Sequence, residues 1–314
     1  MSTYRTALPQ LSERLFLTDG GLETTLVFHD GIDLPHFAAF DVLKTPDGRK
    51  RLKDYYRDYA ATARVRGLGF VLESPTWRAS AEWGAKLGYD AADLDRFNRD
   101  AVALMAEIRA EFETAASPMV ISGCVGPRGD GYIAGAVYSA DEQEAYHGVQ
   151  IATYAATAAD MITGVTINNV PEAIGIVRAA TRAGMPVAIS FTLETDGRLP
   201  SGDGLGEAIE AVAAATGAAP AYYMINCAHP SHFDAVLAPG AAWTGRLRGL
   251  RANASTLSHA ELDNSTELDA GDPVDLGRRY AALRRRLPNI TVLGGCCGTD
   301  HRHVEAICLA CLAA

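Results

Sequence analysis

The sequence predicts a single-domain α/β protein, a (β/α)8 TIM barrel spanning residues 1–314. Three observations carry this prediction. Short apolar runs alternate eight times with segments of helical periodicity, at roughly forty-residue spacing, as parallel strands joined by helical crossovers require. No linker or low-complexity stretch interrupts the alternation. Polar residues recur where the apolar runs end (Asp19, Glu73, Cys124, Thr166, Thr192, Cys227, Asn253 and Cys296). An open doubly wound sheet shares the alternation, but polar residues gathered at strand C-termini favour a barrel, whose active sites are built on that face.

The elements follow in order. Leu15 to Thr18 is a short strand stopped by Asp19-Gly20-Gly21, and Asp47 to Arg66 is its helix. Gly69 to Glu73 is the second strand, followed by an amphipathic helix from Asp93 to Thr114 with Leu94, Phe97, Val102, Met105 and Ile108 on one face. Met119 to Ser122 is the third strand, before a glycine-rich loop from Gly123 to Gly135 and a helix from Asp141 to Ala158. Met161 to Val165 is the fourth strand, and Pro171 fits the first turn of the helix that ends near Ala183. Pro186 to Leu193 and Ala221 to Ile225 are the fifth and sixth strands, with a helix from Leu205 to Thr216 between them. Leu247 to Ala252 is the seventh, with Asp272 to Leu287 as its helix. Ile290 to Leu293 is the eighth, and the last helix runs from His301 to Leu312 with Thr299 or Asp300 as its N-cap.

A net charge of −10 and the absence of a basic patch argue against nucleic acid or an anionic membrane as partner. No apolar run reaches the ~20 residues that cross a bilayer, and the N-terminus lacks a signal-peptide core. Six cysteines, two of them adjacent, do not form the framework of a small secreted protein, so a cytoplasmic protein with reduced thiols is expected.

The adjacent pair is the most informative feature. Cys296 and Cys297 lie between Gly294-Gly295 and Gly298 at the end of the eighth strand, and Cys227 ends the sixth. In a closed barrel those strand ends are separated by one neighbour, within reach of a single ion. Three thiolates at about 2.3 Å would hold Zn2+ and leave a fourth position open, the mark of a catalytic site. A buried apolar role is the alternative for any one cysteine, and it is preferred for Cys308 and Cys311 in the last helix. Asn253, ending the seventh strand, is a candidate donor to a bound substrate, with backbone capping as the alternative.

These residues bring the chain into line with a known family. Asp19-Gly20-Gly21-Leu22, Val125-Gly126-Pro127, Ser190-Phe191-Thr192-Leu193, Ile225-Asn226-Cys227 and above all Gly294-Gly295-Cys296-Cys297 resemble the motifs of the homocysteine S-methyltransferases. That family includes betaine–homocysteine methyltransferase and the N-terminal part of cobalamin-dependent methionine synthase. The resemblance implies a zinc-dependent barrel enzyme of methionine biosynthesis, with Cys227, Cys296 and Cys297 on the metal. It also implies an acceptor thiol in the open position and a role for Asp19 in holding its amino group. Thr192 and Asn226, inside the matching motifs, join Asn253 as candidate substrate contacts.

The chemistry agrees: only a thiolate attacks carbon well, and zinc removes the proton while leaving a nucleophilic sulfur. Methyl transfer between bound substrates needs positioning more than proton transfer, so no catalytic residue beyond the zinc ligands is assigned. The chain is too short for cobalamin or folate domains and lacks the long C-terminal extension of the betaine enzyme. A sulfonium such as S-methylmethionine is therefore the favoured donor, with a corrinoid protein acting in trans as an alternative; a homo-oligomer is also compatible.

One departure matters. Where the family carries a glutamate that contacts the ammonium group, this chain has Val165, while Glu23 follows the first strand where a small residue is usual. Either Glu23 replaces the missing carboxylate from across the barrel mouth, or Glu23 is a solvated loop residue and the acceptor is a thiol without an α-ammonium. A methyltransferase for another thiol, and a non-catalytic zinc-binding barrel, stay open at this level.

Overall fold

Eight parallel strands close into a barrel in strict chain order, β1 (Phe16–Leu17), β2 (Gly69–Glu73), β3 (Met119–Val125), β4 (Met161–Ile167), β5 (Val187–Thr192), β6 (Tyr222–Asn226), β7 (Leu247–Ala252) and β8 (Val292–Gly295). A computed structural model of the chain describes residues 2–136, 138–237, 240–265 and 267–313. Closure is made where Phe16 and Leu17 pair with Val292 and Leu293. The outer helices are α1 (Pro46–Val65), α2 (Ala91–Phe112), α3 (Ala140–Ala155), α4 (Val170–Arg182), α5 (Leu205–Ala215), α6 (Pro230–Phe233), α7 (Pro273–Arg286) and α8 (His301–Leu312). None of the described helices is long and apolar enough to cross a membrane.

Side chains from successive strands, among them Phe16, Val71, Val120, Met161, Tyr222 and Val292, form a buried apolar plug inside the barrel. Outward side chains pack beneath the helices in one large core. Helix starts follow local chemistry. The Thr45 hydroxyl accepts from Gly48 N at α1, Asp90 and Asp93 form a reciprocal cap at α2, and the Asp300 carboxylate accepts from Arg302 N at α8.

Three strands differ from the sequence expectation by two residues or more at an end. β3 runs on through Gly123 and Cys124, which pair with β4. Gly123 is needed within the strand because a Cβ there would lie 2.6 Å from the Tyr154 ring. β8 is displaced toward the C-terminus to include Gly294 and Gly295, whose missing Cβ atoms make room for Thr18 and Thr299. β4 continues to Ile167 through an irregularity after Gly164, with Thr166 at a φ of 61°. Among the described residues the sixth crossover holds the four-residue α6 and a 3-10 helix at Ala242–Arg246.

Candidate functional site

The barrel mouth encloses a cavity of about 480 Å³. Cys227, Cys296 and Cys297 lie on its wall, and their three sulfurs fall within 4.8 Å of one another. Backbone hydrogen bonds fix this convergence: Cys227 N donates to Arg251 O at 3.1 Å, Cys296 N to Ala252 O at 2.8 Å, and Ala254 N to Cys297 O at 3.0 Å. Cys227 adopts a left-handed φ of 52°, which costs a non-glycine residue of order 1–3 kcal/mol and turns its sulfur toward Cys296. Beside them, Asn226 Nδ2 donates to Thr166 Oγ1 at 2.8 Å and approaches Cys296 Sγ at 3.9 Å. The Tyr132 hydroxyl reaches Cys227 Sγ at 3.5 Å and Cys297 Sγ at 3.7 Å.

The sulfurs of Cys227 and Cys296 are joined as a disulfide, whereas reduced thiols were expected. The Cα atoms are 5.4 Å apart, an ordinary disulfide separation, so the approach that converges three thiols on one ion also lets two of them bond. Once that bond is reduced, the donor set fits a soft metal: three sulfurs on rigid strand ends, facing an open cavity. The three cysteines could therefore hold a metal ion.

Charged groups line the same mouth. Asp19, at the end of β1, is buried and accepts from Arg251 Nη2 at 2.7 Å and from the Tyr55 hydroxyl at 3.1 Å. Arg251, on β7, also donates from Nε to Gly295 O at 3.1 Å and stands 3.8 Å from the Glu73 carboxylate. Glu73, at the end of β2, is 5% exposed and its Oε1 has no hydrogen-bond partner among the described residues. Burial raises its pKa, and Arg251 opposes that shift. Glu23 lines the cavity half-buried, with its pKa pushed up to about 7 by desolvation. Burial pushes the Cys124 thiol well above its usual range, which keeps it protonated.

The structure therefore brings Asp19, Glu23, Val165 and the three cysteines to one cavity. Thr192, Asn226 and Asn253 do not line it. Thr192 Oγ1 lies 3.4 Å from His259 Nε2; Asn226 Oδ1 accepts from Ser190 Oγ and from Thr166 N inside the barrel; Asn253 is buried beside β6, its backbone N donating to Ala228 O. His229 caps α6 and His232 contacts Thr256 O, while Cys308 and Cys311 are buried in the helical core. Sequence reasoning missed Arg251 and Arg78 as cavity residues. The available signal for Arg251 was its place in the strand run Leu247–Ala252, two residues before Asn253 at the strand's C-terminal end.

Fold and site together define a barrel enzyme with a three-cysteine mouth. The family model for homocysteine S-methyltransferase matches residues 16–311, and the chain belongs to that family; it is a methyltransferase. No curated protein matches the sequence. Among solved structures, the homocysteine methyltransferase MmuM from Escherichia coli is similar in three forms. Its oxidized form matches with a TM-score of 0.73 and 19% identity, covering 98% of this chain and 99% of that one. Its metallated form gives 0.70 and 18%, with 98% and 99% covered, and its apo form 0.64 and 18%, with 97% and 98% covered. At this identity the likeness concerns the fold.

Proposed function

We propose that the protein moves a methyl group from a sulfonium donor, S-methylmethionine being favoured, to the thiol of homocysteine, giving methionine in the cytoplasm. In this reading Zn2+ is held by Cys227, Cys296 and Cys297. The observation that carries the proposal is the convergence of three sulfurs within 4.8 Å on the wall of an open cavity. Bound zinc would deprotonate an acceptor thiol while leaving its sulfur nucleophilic. The chain's own residues supply the positioning. Tyr132 and Asn226 offer hydrogen-bond donors to the cysteine sulfurs, and the strand ladder holds those sulfurs in place. Glu23, which makes no ion pair with any described residue, supplies the carboxylate for the acceptor's ammonium group.

A second reading, transfer to a different thiol, is favoured by one specific observation. Asp19, which the family resemblance assigns to the ammonium, is already neutralised by Arg251 at 2.7 Å. The test is zinc quantification on reduced protein, followed by transfer from S-methylmethionine to a panel of thiols. One zinc per chain, lost in Cys297→Ser, and methionine formation from homocysteine are expected. Reduced protein that binds no zinc would refute the metal reading. Transfer only to thiols other than homocysteine would establish the second reading.

A further inference from the structure

One charge in the cavity wall is left unused by the chemistry above. Arg78 is 5% exposed, and the exposed part faces the cavity. Its guanidinium is stacked between two indoles, 3.8 Å from the Trp77 ring centre and 3.6 Å from that of Trp83. Nη1 donates to Gly129 O at 3.1 Å, Nε is buried with no hydrogen-bond partner, and Nη2 makes no hydrogen bond to any described residue. No carboxylate of the described residues forms an ion pair with it. Arg251, the cavity's other guanidinium, is engaged by Asp19, Gly20 and Gly295.

A buried cation without a counter-ion is costly, and stacking on aromatic rings offsets only part of that cost. Nε stays buried, whereas Nη2, with no hydrogen bond to any described residue, can donate to an anion in the cavity. The surroundings restrict which anion can enter. Asp19, Glu23, Glu73 and Asp130 outnumber the two arginines, so a doubly charged phosphoryl group is repelled, whereas a carboxylate carried next to a cation is not. Glu23 and Arg78 line the same cavity, and no ion pair joins them among the described residues.

We propose that Arg78 binds the α-carboxylate of an amino-acid substrate, across the cavity from the Glu23 carboxylate that takes its ammonium. This assigns a specificity-determining residue and rests on the proposed amino-acid thiol substrate. A zwitterion satisfies both groups at once, and a simple amine or a simple acid satisfies only one.

The test is calorimetric binding to reduced, zinc-loaded protein of L-homocysteine and of 3-aminopropane-1-thiol, which lacks only the carboxylate. Wild-type protein binds homocysteine at least tenfold more tightly. Arg78→Met closes the gap by lowering homocysteine affinity alone, and Arg78→Lys retains part of it, because an ammonium lacks the planar fork. L-norleucine and pentan-1-amine, measured on metal-free protein, read the same preference without sulfur or zinc. A norleucine preference that disappears in Arg78→Met supports the assignment whatever becomes of the thiol chemistry. Equal wild-type affinities within the sulfur-free pair, or a preference that survives in both variants, overturns it.

Discussion

Replacing Glu23 by glutamine isolates the charge that the cavity holds at the expense of stability. Desolvation pushes the Glu23 pKa from an ordinary 4.5 to about 7. A carboxyl with a raised folded pKa binds more protons in the native state than in the unfolded chain. Wild-type stability therefore falls as pH rises from about 4.5 to about 7 and stays lower above that. The full shift of about 2.5 units corresponds to about 3 kcal/mol, and partial solvent access reduces this to about 2 kcal/mol. Glutamine carries no such slope. Urea midpoints of wild type and Glu23→Gln, measured between pH 4.5 and 8, should diverge across that window, with the variant about 2 kcal/mol more favoured at pH 8 than at pH 4.5 relative to wild type. Parallel profiles would refute the assignment of a destabilised, ionisable Glu23. The same titration governs ligand binding: L-norleucine affinity for the metal-free protein should weaken as pH falls through 7 in wild type and stay level in the variant.

Two further perturbations test the scaffold around the cavity. Arg251→Met leaves the Asp19 and Glu73 carboxylates buried without their cation, and should cost about 3–5 kcal/mol in urea unfolding at pH 7.5, less at pH 4.5 where the carboxyls accept protons. Gly21→Ala places a Cβ 2.6 Å from the Cys296 carbonyl oxygen, so the loops after β1 and β8 must part. A loss of about 1–3 kcal/mol and reduced zinc stoichiometry are expected from this variant, and unchanged values would show that the two loops move independently.

The barrel was legible because its signals are local. Apolar runs, helical periodicity and capping residues such as Asp300 act over a few positions, and β2, β7 and α8 begin and end where the pattern places them. The ends of β3 and β8 were not legible. Glycines that read as turns, Gly123, Gly294 and Gly295, are strand residues whose missing side chains accommodate Tyr154, Thr18 and Thr299 from elsewhere in the chain.

The same division runs through the site. Sequence alone determined that Cys227, Cys296 and Cys297 would meet, because strand ends two places apart in a closed barrel share one mouth. It also placed Val165 where the resemblance has a glutamate, and left open whether Glu23 replaces that carboxylate. Tertiary structure alone decided the electrostatics. That Arg251 neutralises Asp19 and that Glu73 keeps an oxygen unmatched among the described residues depend on side chains remote in sequence; Arg78 has its indoles, Trp77 and Trp83, close in the chain, but its lack of a counter-ion among the described residues is a matter of the closed barrel. A charge announces itself in the sequence, but its pairing is set by which neighbours the closed barrel brings within a few ångströms, in a low-dielectric cavity where an unpaired charge is too costly to be incidental.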